Sequence, residues 1–407
     1  MKKHSAGSGK TGIITAVLFL LISLFTSASA ETRLMVVSDL HYLAPELYRD
    51  SSLFLQILRN GDGKVTQHGD TLLEALYRQI QSEQPDALIV TGDLTFNGEK
   101  LSHAALAEWF GTVEDAGVPV WVIPGNHDIN TVRPVGFGNG LYYTVESVTP
   151  EEFAAIYAGF LEPGEAGFSY TAKISDDLRV AMTDVSWYSN QAETFDLFTP
   201  AHAAWLEAVL RDADAAGAKV VTATHHSLLP HTDFARDSFL MFGSESMLKL
   251  AAEYGVKLNL SGHLHIQHIA RSEDMADAAL GAFCIWPHRY ALVTCRGDGK
   301  LQYEAKALDE AFLPEEFLQD SRDWFAGITR DKLTDALSGT PEEISLMADY
   351  AARFNLAYFS GTYRQDDTSW MADPACVLWQ KQQDSGFWQH MQLVKNESAG
   401  DNLHWEE

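Results

Sequence analysis

The sequence predicts an α/β fold of two packed sheets flanked by helices, followed by a helical C-terminal region. Three observations predict it. Between 34 and 260, apolar runs of strand length alternate with amphipathic helical stretches; between 266 and 305, strand-like runs follow one another; beyond 307, only helical periodicity remains. Strands alternating with helices and then strands alone are the pattern of two sheets covered by helices. The chain is expected to divide into 1–30, an α/β region 31–306 and a helical domain 307–407.

The first segment carries Lys2, Lys3 and Lys10, an almost wholly apolar stretch 12–25, and Ala28-Ser29-Ala30. A basic start, a short apolar core and small residues are the marks of a secretory signal peptide, here cut after Ala30. The apolar run is shorter than the ~20 residues that a membrane-spanning helix needs. Export to the cell surface or medium is therefore expected, with an uncleaved membrane anchor as the alternative.

The run 34–38 reads as the first buried strand, and Asp39 and His41 leave it two residues apart, so that in extended chain they point the same way. A helix follows over 70–81, with Leu72, Leu73, Leu76 and Ile80 on one face. Strand 87–91 delivers Asp93, and helix 103–115 leads to the apolar run 118–123, which ends in Gly125-Asn126-His127-Asp128. The carboxyl ends of strands in open α/β sheets are where ligands collect.

The polar, glycine-rich stretch 130–149 has no clear periodicity and is a candidate lid or specificity loop. Arg133 within it is a candidate anion-holding cation, although an exposed, solvated arginine is the plainer reading. Runs 168–174 and 179–183 form an antiparallel pair, and 201–210 is an amphipathic helix. Strand 219–224 leads into His225 and His226, helix 246–254 follows, and strand 256–260 leads into Gly262-His263-Leu264-His265. Short strands are expected over 266–270, 282–285, 290–294 and 301–305.

Helices are expected over 314–333, 341–353 and 374–394, the first two opening with Pro-Glu-Glu, a favoured first turn. The tail beyond 396 reads as frayed. The aromatics here, including Trp324, Tyr350, Trp379 and Trp388, are expected to be core.

The formal net charge of −27 argues against a nucleic-acid polymer as partner, because such binding relies on Lys and Arg neutralising phosphates. It suits a small-molecule substrate whose charge metal ions meet locally. The three cysteines, Cys284, Cys295 and Cys376, make no disulfide framework. Buried free thiols are expected, with a Cys284–Cys295 bridge as the alternative.

Five short motifs now stand in order: Asp39-Leu40-His41, Gly92-Asp93, Gly125-Asn126-His127-Asp128, His225 and Gly262-His263-Leu264-His265. This order, D-x-H, GD, GNHD, H and GHxH, resembles the calcineurin-like metallophosphoesterase superfamily over 33–270, whose fold is a two-sheet sandwich. The resemblance implies that Asp39, His41 and His265 hold one divalent ion, that Asn126, His225 and His263 hold another, and that Asp93 bridges them. His226 is left as a structural neighbour. Mn, Fe and Zn all suit carboxylate and imidazole ligands. The implied reaction is phosphoester hydrolysis by a hydroxide shared between the two ions.

The resemblance makes His127 the group that contacts the phosphate and protonates the leaving oxygen. Relatives that orient this histidine with an Asp three residues after the bridging Asp would need it at position 96, which is Phe96. Asp128 is the remaining candidate for that role. Phe96 also excludes the tyrosine ligand of purple acid phosphatases, and with it an iron-tyrosinate colour.

The motif set on a compact catalytic region most resembles the exported, bacterial cyclic-nucleotide phosphodiesterase-like branch. A phosphomonoesterase or nucleotidase with the same metals is the alternative, ahead of a nuclease or a metal-free binding scaffold. Diesters are favoured because the motif loops offer few cations for a monoester dianion: Lys100, Arg133 and Arg236.

Overall fold

The computed structural model describes residues 31–407, apart from 50, 163, 165, 187–196, 234–238, 335, 365–368 and 398–399. The signal segment 1–30 and Arg236 lie outside the described residues. The first half runs β1 (Thr32–Val37), α1 (Ser52–Arg59), α2 (Gly69–Glu83), β2 (Ala87–Thr91), α3 (Lys100–Asp115), β3 (Val120–Ile123), the hairpin β4 (Val135–Gly138) and β5 (Leu141–Thr144), α4 (Pro150–Ile156), β6 (Tyr170–Lys173) and β7 (Leu178–Met182). Then come α5 (Pro200–Ala216), β8 (Lys219–Ala223), α6 (Ser244–Glu253), β9 (Leu258–Ser261), β10 (His268–Arg271), β11 (Ala276–Ala279), β12 (Arg289–Cys295) and β13 (Leu301–Ala307). The last part holds α7 (Phe317–Thr334), α8 (Pro341–Phe359), α9 (Ser369–Ala372), α10 (Pro374–Trp379), α11 (Gly386–Asn396) and β14 (His404–Glu406).

The strands form two six-stranded sheets, in the orders β14-β13-β12-β1-β2-β3 and β10-β11-β9-β8-β7-β6. Strands β1, β2 and β3 are parallel, as are β7, β8 and β9, so each sheet places its parallel carboxyl ends together. β2 is buried along its whole length, which matches its unbroken Ala-Leu-Ile-Val-Thr run. Leu34, Val36 and Ile89 of the first sheet and Val180, Val221 and Leu258 of the second belong to one apolar cluster. The two-sheet sandwich is thus the shape that buries both sets of strands at once.

Helix starts follow local chemistry. Thr149 and Thr340 each accept a hydrogen bond from the backbone N–H three residues on, and Glu152 and Glu343 reach back to close a capping box. Ser51 caps α1, a helix that sequence reading missed.

The sequence expectations are corrected at several points. Residues 130–149 are not a plain loop, since β4 and β5 pair within them; two glycines, Gly136 and Gly138, hide the strand signal. Residues 282–285 form turns rather than a strand, whereas the missed strand β11 is the alanine-rich Ala-Asp-Ala-Ala. The helix expected over 374–394 is broken into α10 and α11, with Ser385 capping the second. The tail is not frayed throughout, because β14 pairs with β13 from Gln302↔Glu406 to Glu304↔His404.

The C-terminal helices pack directly on the sheets. Leu264, Ile266 and Ala279 share a cluster with Met347, Tyr350, Phe354 and Trp379, while Cys284 and Ile285 share one with Phe325 of α7 and Ala352 of α8. All three cysteines are free and buried, as expected. Among the described residues, no helix is long and apolar enough to cross a membrane.

Candidate metal centre

Every motif residue sits just beyond the carboxyl end of a parallel strand. After β1 the chain stays alongside the exit of β2, because the Asp39 N–H donates to Gly92 O at 3.1 Å and the His41 N–H to Asp93 O at 3.0 Å. Asp39, His41, Asp93, His263 and His265 all have positive φ, between 41° and 63°. Such backbone is uncommon for residues with a Cβ and is found where a site demands a particular side-chain direction. Gly125 and Gly262 have no alternative residue: a Cβ on the first would strike Asp93, and on the second would strike Ser38 and Asp39.

Asp39, His41, Asp93 and His265 converge with one ligand atom each lying within 4.8 Å of the others. His41 Nε2 is 3.1 Å from His265 Nε2, 3.5 Å from Asp93 Oδ2 and 3.9 Å from Asp39 Oδ1; His265 Nε2 is 3.3 Å from Asp39 Oδ1. Lone pairs of carboxylates and imidazoles aimed at one point repel unless a cation lies among them, so this donor set fits a divalent metal. Burial, with Lys64 nearby, pushes His41 well below the usual histidine range, which leaves it neutral as a ligand must be. For His265, burial and Lys64 work downward, but the carboxylates of Asp39 and Asp62 prevail and lift it to about 9. A proton held there occupies the place that a cation would take.

His225, His226 and His263 form the second cluster. The His225 Nδ1–H donates to Thr91 O at 2.8 Å, which fixes the tautomer and leaves Nε2 as the free lone pair. That Nε2 lies 3.1 Å from Asn126 Oδ1 and 3.4 Å from Asp93 Oδ1. The His263 N–H is anchored on the Asp39 carboxylate, at 3.2 and 3.1 Å to its two oxygens. His226 stacks on the His263 ring with centroids 3.7 Å apart, so it is closer to the donor set than the sequence suggested. Asp93 faces both clusters, Oδ2 toward His41 and Oδ1 toward His225. Burial works against its charge, yet His225, His127 and His41 hold its carboxyl well below the usual range.

The His127 ring packs edge-on to His41 at 4.9 Å, and the backbone N–H of His127 donates to Asp93 Oδ1 at 2.8 Å. Its Nδ1 faces two oxygens, Phe96 O at 2.9 Å and Asn97 Oδ1 at 3.0 Å. Nδ1 therefore carries the hydrogen and Nε2 is left to exchange a proton. Asp128 does not orient this ring, contrary to expectation. Its carboxylate accepts from the N–H groups of Leu94 (3.1 Å), Thr95 (2.9 Å) and Gly125 (2.8 Å) and from the Thr95 hydroxyl (3.1 Å), tying the loop after β2 to the loop after β3. Burial and the charge of Asp93 push it up to about 7 against those amides.

Sequence reading missed Asp62 and Lys64. Asp62 Oδ2 accepts from His265 Nδ1–H at 2.9 Å, and Lys64 Nζ is 3.2 Å from the same oxygen. An acidic residue between two glycines, Gly61-Asp62-Gly63, was the available signal. Of the cations that were considered, Lys100 is held by Glu152 at 2.7 Å and Glu146 at 3.7 Å, and Arg133 is exposed.

A dimetal phosphatase from Danio rerio superposes with a TM-score of 0.50 at 14% identity, covering 68% of this chain and 96% of its own. A purple acid phosphatase from yellow lupin (Lupinus luteus) seeds gives 0.46 at 14% identity, covering 69% and 52%. A Synechococcus protein named a probable cyclic nucleotide phosphodiesterase is 37% identical over 54 residues, 13% of this chain; the match spans 20% of that relative's length. The family model described as calcineurin-like phosphoesterase matches residues 32–267, the span that carries β1–β3, β7–β9 and every motif residue. With the motifs in order, the donor clusters assembled and the family model matched over more than half of its length, the chain belongs to the calcineurin-like phosphoesterase family.

Proposed function

We propose that the protein is an exported phosphodiesterase that acts on small phosphodiesters, cyclic nucleotides among them. In this reading Asp39, His41 and His265 hold one divalent ion, Asn126, His225 and His263 hold a second, and Asp93 touches both. The observation that carries it is the position of Asp93, whose two oxygens lie 3.5 Å from His41 and 3.4 Å from His225. Two divalent ions bound there supply Lewis acidity, which activates water and neutralises phosphate charge.

The chain's own residues do the rest. The N–H of His127 fixes one oxygen of Asp93, and the oxygens of Phe96 and Asn97 aim the His127 ring. From Nε2 that ring gives the leaving oxygen its proton, without which an alkoxide departs slowly. In this assignment residues 31–306 form the catalytic domain and 307–407 a helical domain beside it, whose last residues return to the first sheet as β14.

Support for a diester comes from the relative named a cyclic nucleotide phosphodiesterase and from the engagement of Lys100 with glutamates. Lys64, beside the first cluster, favours the alternative of a phosphomonoesterase or nucleotidase, since an added cation suits a dianion. One comparison separates them: kcat/KM for 2',3'- and 3',5'-cyclic nucleotides, bis-p-nitrophenyl phosphate and p-nitrophenyl phosphate with added Mn²⁺. Diesters are expected to be turned over with the higher kcat/KM. A higher value for p-nitrophenyl phosphate than for its bis ester establishes the monoesterase.

A further inference from the structure

The segment 59–64 lies between the metal centre and the C-terminal helices, and it touches both. On one side Asp62 accepts from His265 Nδ1–H at 2.9 Å, so that Nε2 of the same ring points at Asp39 and His41. On the other side α7 holds the segment at three points. Lys332 Nζ donates to Gly61 O at 2.6 Å, the Phe325 ring fills the space where a Cβ on Gly63 would stand, and the Arg59 guanidinium lies 5.0 Å from the Trp324 ring centre. Gly63 has φ +109°, a conformation only glycine adopts with ease. Lys64 and the N–H of Val65 complete the frame, through Asp62 and Cys284 O.

Such a frame is more than a polar surface contact. A ligand histidine whose other nitrogen donates to a carboxylate has its tautomer and ring direction fixed, and its basicity raised. Of the two histidines of the first cluster, His265 has a carboxylate on its outer nitrogen, whereas His41 Nδ1 is buried with no hydrogen-bond partner among the described residues. His225 meets the same need through Thr91 O, a backbone atom of β2.

We infer that Asp62 is a positioning residue for His265 and that α7, by bracing Asp62, tunes the metal affinity of the first cluster. The C-terminal helices thereby reach one half of the dinuclear centre through Asp62. This rests on the two-metal reading above. It is tested by equilibrium dialysis of metal-free protein against Mn²⁺, counting metal per chain, for the wild type, Asp62→Ala, Asp62→Glu and Lys332→Ala.

The wild type is expected to bind two Mn²⁺. Asp62→Ala is expected to weaken one of them about 10- to 100-fold, the usual effect of losing such a partner, and to leave the other unchanged. Asp62→Glu is expected to recover part of the loss. Lys332→Ala, which touches neither the metal nor His265, is expected to weaken the same ion by at most about 10-fold, the reach of one exposed hydrogen bond. Equal weakening of both ions, or none, in Asp62→Ala overturns the inference while the two-metal reading stands. Fewer than two ions on the wild type overturns both. Thermal melts of the metal-free variants separate local effects from unfolding, because unchanged midpoints accompany a loss confined to one site.

Discussion

Asp93 Oδ1 lies 2.8 Å from the backbone N–H of His127 and thereby links the bridging carboxylate to the proton donor through main chain rather than through a side chain. Changing the His127 side chain should leave that link in place, and changing Asp93 should remove it.

Asp93→Ala is therefore expected to lose both metals and all activity. Metal analysis of the purified variant decides it, and near-full occupancy by two ions per chain would show that Asp93 is not shared.

His127→Ala is expected to keep both metals and to lose about 10²- to 10⁴-fold in kcat, the usual share of a general acid. The loss should be larger for alkyl esters than for nitrophenyl esters, whose leaving group needs little protonation. Equal losses would reduce His127 to holding the phosphate.

Asp128→Ala tests a different role. Three backbone N–H groups would lose their buried acceptor, at ~1–3 kcal/mol each. A lowered melting temperature is expected, together with an unchanged ratio of alkyl to nitrophenyl ester rates. A ratio that moves as it does in His127→Ala would restore Asp128 as the orienting carboxylate.

Acid lability should be visible in His103. This side chain is fully buried, and a neutral ring with Nε2–H donating to Asp128 O at 2.9 Å and Nδ1 accepting from the Tyr157 hydroxyl at 2.8 Å satisfies both nitrogens. Burial pushes it down to about 4 from 6.5. Between those values the unfolded chain binds the extra proton, so stability rises with pH and is lost as pH falls from 6.5 through 4. The share of His103 is on the order of 3 kcal/mol. Glu99, which burial pushes up to about 7 from 4.5, acts oppositely: its contribution falls as pH rises through that interval. Asp128, also pushed up to about 7, acts as Glu99 does, so the test is the direction of change: on going from pH 7 to pH 5 the denaturation midpoint of His103→Gln, relative to its own pH 7 value, should fall less or rise more than that of the wild type.

The donor clusters were legible because each ligand follows an apolar strand by two to four residues, and strand exits in a parallel sheet meet at one edge. Asp39, Asp93, Asn126, His225 and His263 could be placed without knowing the order of the strands. Asp62 could not, because its partner His265 is 203 positions away and its loop is held by α7, a contact between segments that no local pattern records. The role expected of Asp128 failed for a related reason: adjacency to His127 suggested contact, while the chain turns the two side chains to different neighbours. β14 escaped notice because three residues are too few to show alternation, and its pairing with β13 alone makes it a strand.

Five of the candidate ligands, Asp39, His41, Asp93, His263 and His265, hold a backbone that disfavours side chains, at a cost of about 1–3 kcal/mol each. Replacement of any one by glycine would relieve that strain even as it removed a ligand. Selection for thermal resistance without selection for turnover should therefore erode the centre, favouring glycine at these positions ahead of changes in the sandwich core. Descendants that abandoned catalysis would carry their history as glycines at strand exits.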